Sequence, residues 1–190
     1  MFASISGYVP QCAASALEER RRAHGRALRV WGALTACALL VVGLVLAAPL
    51  ASAGGHAWLA QLDYRAFHAV CHQIPERSFY VAGYPLAVCA RCAGIYAGFV
   101  SATLVYPLLR DVRSREMPGR VWLLAAMLPL AVDFSLGFFG LWENTHVSRF
   151  ATGALAGAVA VFYVLPGAFD LWENRRQLFT MRTLLQREKS

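Results

Sequence analysis

Charged residues are scarce in this chain. They make up 15% of its 190 residues, whereas hydrophobic residues make up 58%, and a soluble domain usually carries about 25% charged residues. This shortage excludes an ordinary soluble domain and indicates an integral membrane protein. Acidic residues are fewest, 11 against 18 basic ones. Because the basic residues stand in blocks beside apolar stretches, the positive net charge does not indicate nucleic-acid binding.

Four stretches are long and apolar enough to cross a bilayer core of about 30 Å. We predict membrane-spanning helices over residues 30–50, 84–109, 121–140 and 150–169. The first stretch also resembles a secretory signal, since arginines precede it and an Ala-Ser-Ala site follows it. Its apolar part exceeds the usual length of about 7 to 15 residues, which favours an uncleaved helix. The predicted fold is an all-α integral membrane bundle of four transmembrane helices.

The positions of arginine and lysine predict the orientation, because these residues are enriched in cytoplasmic flanks. They crowd the segment before the first span, the loop 110–120 and the segment after the last span. We therefore predict a bacterial cytoplasmic membrane protein with both termini in the cytoplasm. Residues 1–29 would form a basic cytoplasmic segment, residues 30–168 the membrane domain and residues 169–190 a basic cytoplasmic tail.

The first outer loop, residues 51–83, is expected to contain a short helix in the membrane interface. Its apolar residues recur at steps of three and four and stop before Pro75, a spacing typical of an interfacial helix. These residues are Trp58, Leu59, Leu62, Tyr64, Phe67 and Val70.

The tetrapeptide Leu-Trp-Glu-Asn follows the third and the fourth span, at Leu141 and Leu171. We interpret it as a tryptophan anchor used twice.

Two G-x-x-x-G motifs predict which helices pack closely. One runs from Gly94 to Gly98 in the second span, and the other from Gly153 to Gly157 in the fourth. Small residues four apart allow membrane helices to approach closely. We expect contact between these two spans, although glycine- and alanine-rich helices also produce such motifs by chance.

The most informative motif is Cys89-Ala-Arg-Cys92, which places a charge inside the second predicted span. A charge in hydrocarbon is costly unless it is paired or faces water, so such a position favours a functional site. Cys71 and His72 lie in the preceding outer loop. Three thiolates and one imidazole are the ligand types of a zinc site. We predict Zn²⁺ bound by Cys71, His72, Cys89 and Cys92.

Other interpretations of the thiols stay open. His68 could replace His72, because neighbouring residues on a regular helix seldom face one ion. The thiols could instead form a disulfide, either between Cys89 and Cys92 or with Cys71, or be inert and buried. Cys12 and Cys37 fall toward the cytoplasmic side, and we expect neither to take part.

Two charged residues of the later spans fall in the same outer half. Asp133 lies in the third span and Arg149 opens the fourth. Asp133 is either the ion-pair partner of Arg149 or Arg91, or a general base, a further metal ligand or a proton carrier. Asp133, Arg149 and Arg91 are the candidate catalytic residues.

Four further polar residues lie near this half. Arg77 and Ser78 could bind an anion, or Ser78 could be the N-cap of a helix. We interpret Glu143 and His146 as solvated loop residues.

These residues form a recognisable pattern, C-H-Q-x-P-x-R-S-F followed by C-x-R-C-x-G-I-Y-x-G. It resembles the signature of an uncharacterised family of small polytopic membrane proteins in bacteria and archaea, defined by a domain of unknown function. The resemblance covers about residues 71–157. It implies an aspartate in the third span, matched by Asp133, and an Arg-x-x-Thr-Gly that begins at Arg149 here. The glycine usual after that aspartate is Phe134 in this chain. The resemblance implies no activity.

The residues support two main functional hypotheses. The first is a zinc-type site that shapes a polar intramembrane cavity, open to a lipid or an anionic small molecule. The second is a membrane thiol-disulfide oxidoreductase that uses Cys89 and Cys92, by analogy with four-helix quinone-coupled enzymes. That scheme takes two cysteine pairs, and only three cysteines are predicted to face outward. A small carrier or assembly subunit is the third alternative.

Overall fold

The computed structural model describes the backbone of residues 8–188 and the side chains of residues 13–175. The side chain of Cys12 and the side chains after residue 175 lie outside the described part of the chain. Part of the orientation prediction depends on the basic residues after residue 175. The elements in chain order are α1 (Tyr8–Ala53), α2 (Ala57–His68), a 3₁₀ turn (Pro75–Arg77), β1 (Tyr80–Val81), β2 (Tyr84–Pro85), α3 (Ala90–Leu109), α4 (Arg120–Phe138) and α5 (His146–Glu188). Four helices, α1, α3, α4 and α5, are long and apolar enough to cross a membrane. The predicted all-α, four-span fold is confirmed.

The second span begins later than the sequence predicted. Residues 80–85 form a hairpin in which Tyr80 pairs with Pro85 and Val81 with Tyr84. The two turn residues have φ of 52° and 84°, as in the tight turns that match the twist of a hairpin. The apolar pattern runs without a break from the second strand into α3, so hydropathy does not mark the boundary. Cys89 is therefore the residue before α3 and not a position more than one turn inside it.

The short helix predicted in the first outer loop is present as α2. It ends at His68, earlier than the pattern suggested, so His72 is not on this helix. Helix α1 begins well before its predicted span and α5 continues well past its own, because the polar residues that flank these apolar stretches continue the helical backbone.

Helices α3 and α5 pack with their backbones in contact, as the paired glycine motifs predicted. A Cβ atom built on Gly98 would overlap the carbonyl group of Ala154, and one on Gly157 would overlap that of Ile95. Gly94 and Gly153 meet backbone atoms of the opposite helix in the same way. Any side chain at these four positions would push the helices apart. This contact fixes the start of α5 beside the start of α3.

One end of the bundle collects many of the basic residues. Arg26 of α1 pairs with Glu173 of α5 at 3.3 Å, and Arg115 of the α3–α4 loop lies 3.6 Å from Asp170. Deeper in the bundle, the indole N–H of Trp31 donates to a carbonyl oxygen of α3 at 2.8 Å. The opposite end holds α2, the hairpin and the residues discussed next.

Candidate metal centre and polar cavity

Three cysteine side chains converge at the end of the bundle opposite the basic loop. The sulfur atoms of Cys71, Cys89 and Cys92 lie within 4.8 Å of one another, and all three cysteines are free thiols. Cys71 is 6% exposed, and the other two are half-buried. The Cys71 sulfur accepts backbone N–H groups from Cys89 at 3.2 Å and from Gln73 at 3.5 Å. Such donors stabilise the negative charge that a metal-bound thiolate carries.

The loop that carries Cys71 is held in place by Gln73. This residue has a φ of 51°, and its side-chain amide donates to the carbonyl oxygens of Tyr64 and Ala87, each at 2.7 Å. It therefore ties α2 to the segment just before Cys89. The Tyr64 hydroxyl adds a hydrogen bond to the carbonyl oxygen of Pro85 at 2.6 Å. These bonds explain how residues distant in sequence bring three sulfurs together.

The two histidines proposed as ligands do not join the sulfurs. His72 is exposed and lies outside the cluster, although it lines the adjacent cavity. His68 is exposed at the end of α2. Cys37 is exposed on α1 and, as expected, is not part of the cluster. The described residues thus offer three sulfur atoms that could bind a metal ion.

Arg91 and Asp133 form an ion pair between α3 and α4. Their side chains are 18% and 10% exposed, so the pair is largely enclosed. The Arg91 guanidinium also lies 5.5 Å from the centre of the Phe134 ring, where the aromatic face attracts a cation. The side-chain amide of Asn144 donates to the backbone carbonyl of Asp133 and anchors the α4–α5 loop.

A cavity of about 490 Å³ opens beside the cysteines. Three arginines line it, Arg77, Arg91 and Arg149, together with the three cysteines, and Asp133 is not among its lining residues. The Nε atoms of Arg91 and Arg149 are buried without a hydrogen-bond partner. The remaining lining residues are Val70, His72, Gln73, Ile74, Ile95, Leu130, Phe134, Gly137, Phe138 and Asn144.

Ser78 does not begin a helix. It follows the 3₁₀ turn, is 1% exposed, and its hydroxyl donates to the carbonyl oxygen of Ile74 at 2.9 Å. Its partner is therefore the backbone of its own turn, and this excludes the N-cap interpretation. The neighbouring Arg77 does reach the cavity.

Aromatic side chains at the start of α5 pack against Phe79, which precedes the hairpin. The Phe79 ring lies 5.6 Å from the His146 ring and 5.8 Å from that of Phe150. Glu143 and His146 are both exposed, in line with their interpretation as surface residues. His146 is nevertheless the first residue of α5 and not part of the loop.

Three residues of this region were not singled out by the sequence. Gln73 and Phe79 stood inside the recognised pattern, but only the fold shows that one ties the loop and the other braces α5. Asn144 belongs to the first Leu-Trp-Glu-Asn copy, which we interpreted through its tryptophan. Trp142 is indeed exposed, while the asparagine beside it makes the structural contact.

Beside the cysteines, burial affects two titratable groups of α2. It raises the pKa of the Asp63 carboxyl, an effect partly offset by a hydrogen bond to the backbone of Ala48. One carboxylate oxygen of Asp63 is buried without a hydrogen-bond partner. Burial also raises the pKa of the Tyr64 hydroxyl. Asp63 of α2, which lies against α1, is therefore costly to ionise in the folded protein.

The fold and this end of the bundle define a polytopic membrane protein with a three-cysteine cluster beside an arginine-lined cavity. A family model described as predicted membrane protein (DUF2085) matches residues 71–163. "Uncharacterized protein MJ1492" of Methanocaldococcus jannaschii is 40% identical over 108 residues, which are 57% of this chain and 69% of that protein. An "Uncharacterized protein" of Methanothermobacter thermautotrophicus is 36% identical over 91 residues, 48% of this chain and 80% of that protein. The chain belongs to the DUF2085 family of predicted membrane proteins.

No solved structure matches the chain. The region matched by the family model begins at Cys71 and contains every residue that lines the cavity except Val70. The cysteine cluster, the ion pair and the glycine contacts therefore all lie within the family-defining part of the chain. Helices α1 and α2 lie outside it.

Proposed function

We propose that Cys71, Cys89 and Cys92 bind a zinc-type metal ion that fixes the outer loop to α3 and so shapes the polar cavity. The observation that carries this proposal is the mutual approach of the three sulfurs to within 4.8 Å. Tetrahedral zinc with Zn–S bonds of about 2.3 Å separates its sulfur ligands by roughly 3.8 Å. Small side-chain rotations close the remaining difference.

The fourth ligand decides what kind of metal centre this is. Three protein ligands and an open position are typical of reactive zinc, whereas four protein ligands close a structural site. His72 lines the same cavity and is adjacent in sequence to Cys71, so it is the protein residue we propose for a closed site. If His72 does not bind the ion, water or a ligand from the cavity can occupy the fourth coordination position.

Within the cavity we assign different roles to the charged residues. Arg149 is proposed to bind an anionic group, since it lines the cavity and its Nε is buried without a hydrogen-bond partner. Asp133 is proposed to hold Arg91 in position, because it pairs with that arginine and does not line the cavity. We further propose that this end faces away from the cytoplasm. The ion pairs of Arg26 and Arg115 at the other end support this orientation.

The proximity of the free thiols favours a second candidate function, disulfide exchange. Any two of the sulfurs need only a modest movement to bond. Passing oxidation onward takes two pairs, however, and the cluster holds three cysteines. A metal centre uses all three, so we rank it first.

Elemental analysis of the purified full chain, combined with a free-thiol count, tests the proposal. We expect about one zinc per chain, and loss of most of it in Cys71→Ser, Cys89→Ser and Cys92→Ser, because each change removes a thiolate. Cys37→Ser is the matched control and should keep the wild-type metal content. Retention of zinc by the Cys89→Ser variant would eliminate the metal-centre proposal. A Cys89 to Cys92 disulfide in native membranes would favour the redox function instead.

His72→Ala measured in the same way separates the two forms of the site. Loss of zinc from this variant is expected for a closed site. Unchanged zinc content is expected for a site whose fourth position faces the cavity.

A further inference from the structure

The cavity carries more positive than negative charge. Arg77, Arg91 and Arg149 line it, and no aspartate or glutamate is among its described lining residues. Asp133 pairs with Arg91 from behind the wall, which leaves the charges of Arg77 and Arg149 without a carboxylate partner in the cavity. The Nε of Arg149 is also buried without a hydrogen-bond acceptor. Buried guanidinium groups are stabilised by anionic oxygens that accept two hydrogen bonds, as phosphate does.

The other wall of the cavity is apolar. Leu130, Phe134 and Phe138 of α4 line it, and the two phenylalanines are 54% and 72% exposed. The apolar wall therefore continues from the cavity to the outer surface of the bundle. Helix α4 packs against α5 and makes no extended contact with α3. The cavity therefore lies between α3 and α4 and opens at the surface of the bundle beside Phe134 and Phe138.

We propose that the cavity binds a phospholipid with a net anionic head, the phosphate at Arg77 and Arg149 and an acyl chain along Phe134 and Phe138. This deepens the proposed function and rests on it for the cavity that the cysteine cluster shapes. Charge complementarity favours an anionic head, because the head of a zwitterionic lipid would also bring a positive charge close to Arg77 and Arg149. The apolar wall favours a lipid over free phosphate, because phosphate has no apolar part that could cover Phe134 and Phe138.

Native mass spectrometry of the full chain in detergent tests this inference. The probes are dioleoylphosphatidylglycerol, dioleoylphosphatidylcholine with the same acyl chains, and inorganic phosphate as a competitor. We expect one phosphatidylglycerol per chain, bound at least about tenfold more tightly than phosphatidylcholine and not displaced by phosphate at matched concentration. Arg149→Gln and Arg77→Gln should each weaken that binding about tenfold or more, as expected for a lost charge-assisted hydrogen bond.

Arg120→Gln is the matched control, since this arginine is exposed at the opposite end of α4 and should leave the bound lipid unchanged. Arg77 is exposed in a turn, so its variant carries the test if Arg149→Gln fails to fold. Equal affinity for the two lipids, displacement by free phosphate, or an equal loss in Arg120→Gln would each overturn the inference.

Zinc content measured in the same samples separates the two proposals. Lipid selectivity without zinc would leave the lipid site standing and remove the metal centre. Zinc without lipid selectivity would leave the metal centre standing and remove the lipid site.

Discussion

Replacing Gly98 with alanine tests the α3–α5 contact with the smallest possible change. A methyl group there would overlap the backbone carbonyl of Ala154, and two helix backbones cannot rearrange as a flexible side chain can. Overpacking costs about 1–3 kcal/mol, and a backbone obstacle places this site near the upper end. Alanine gains about 1 kcal/mol over glycine in helix propensity. The expected net loss is therefore about 2 kcal/mol of unfolding free energy.

Gly43→Ala is the matched control. It lies in α1, and a Cβ atom built there meets nothing within 4 Å, so only the favourable propensity term remains. Both variants are unfolded in detergent, and unfolding is monitored by circular dichroism. Their free energies of unfolding should differ by about 3 kcal/mol, which is the expected loss in Gly98→Ala plus the expected gain in Gly43→Ala. If Gly98→Ala were as stable as Gly43→Ala, the close helix contact would be refuted.

Three further predictions concern the remaining charges and the orientation. Asp133→Asn should leave the zinc content unchanged but lower unfolding stability by about 3 kcal/mol, because Arg91 would keep an enclosed charge without its partner; equal melting temperatures would contradict this. Burial raises the pKa of Asp63, so its ionisation destabilises the fold above the raised pKa, and this penalty disappears as the pH falls below the unfolded value of about 3.9. Asp63→Asn should therefore stabilise the protein at pH 7 and lose that advantage near pH 3, and a stability gain independent of pH would rule out the titration. A reporter fused after Ser190 should behave as cytoplasmic and one inserted at Gly55 as external, whereas a cytoplasmic Gly55 reporter would reverse the orientation.

The sequence predicted features that depend on composition and spacing. Apolar length was sufficient for the four spans, and glycines four residues apart identified the α3–α5 contact, because backbone approach in a membrane requires small residues. The C-x-x-C pair and the loop cysteine were expected to meet, and they do. Asp133 and Arg149 were expected to lie in the same half of the membrane, and this stays a prediction; Arg149 lines the cavity, whereas Asp133 pairs with Arg91 and does not line it.

The sequence did not predict features that depend on tertiary hydrogen bonds. The hairpin before α3 is as apolar as a membrane helix. The sequence therefore predicted that α3 begins at residue 84, whereas it begins at Ala90. Gln73 holds the Cys71 loop through two backbone carbonyls, and Asn144 holds the end of α4; neither bond leaves a periodic signal. The exposed position of His72 follows from the end of α2 at His68, which hydropathy spacing does not fix.

X-ray absorption at the zinc edge of the purified full chain tests the metal centre most directly, because it counts the sulfur neighbours of the ion. We expect three sulfurs at about 2.3 Å and one oxygen or nitrogen neighbour at about 2.0 Å. In Cys92→Ser the sulfur count should fall or the zinc should be lost. Protein without zinc and with an S–S bond between Cys89 and Cys92, or zinc surrounded only by oxygen and nitrogen, would contradict it.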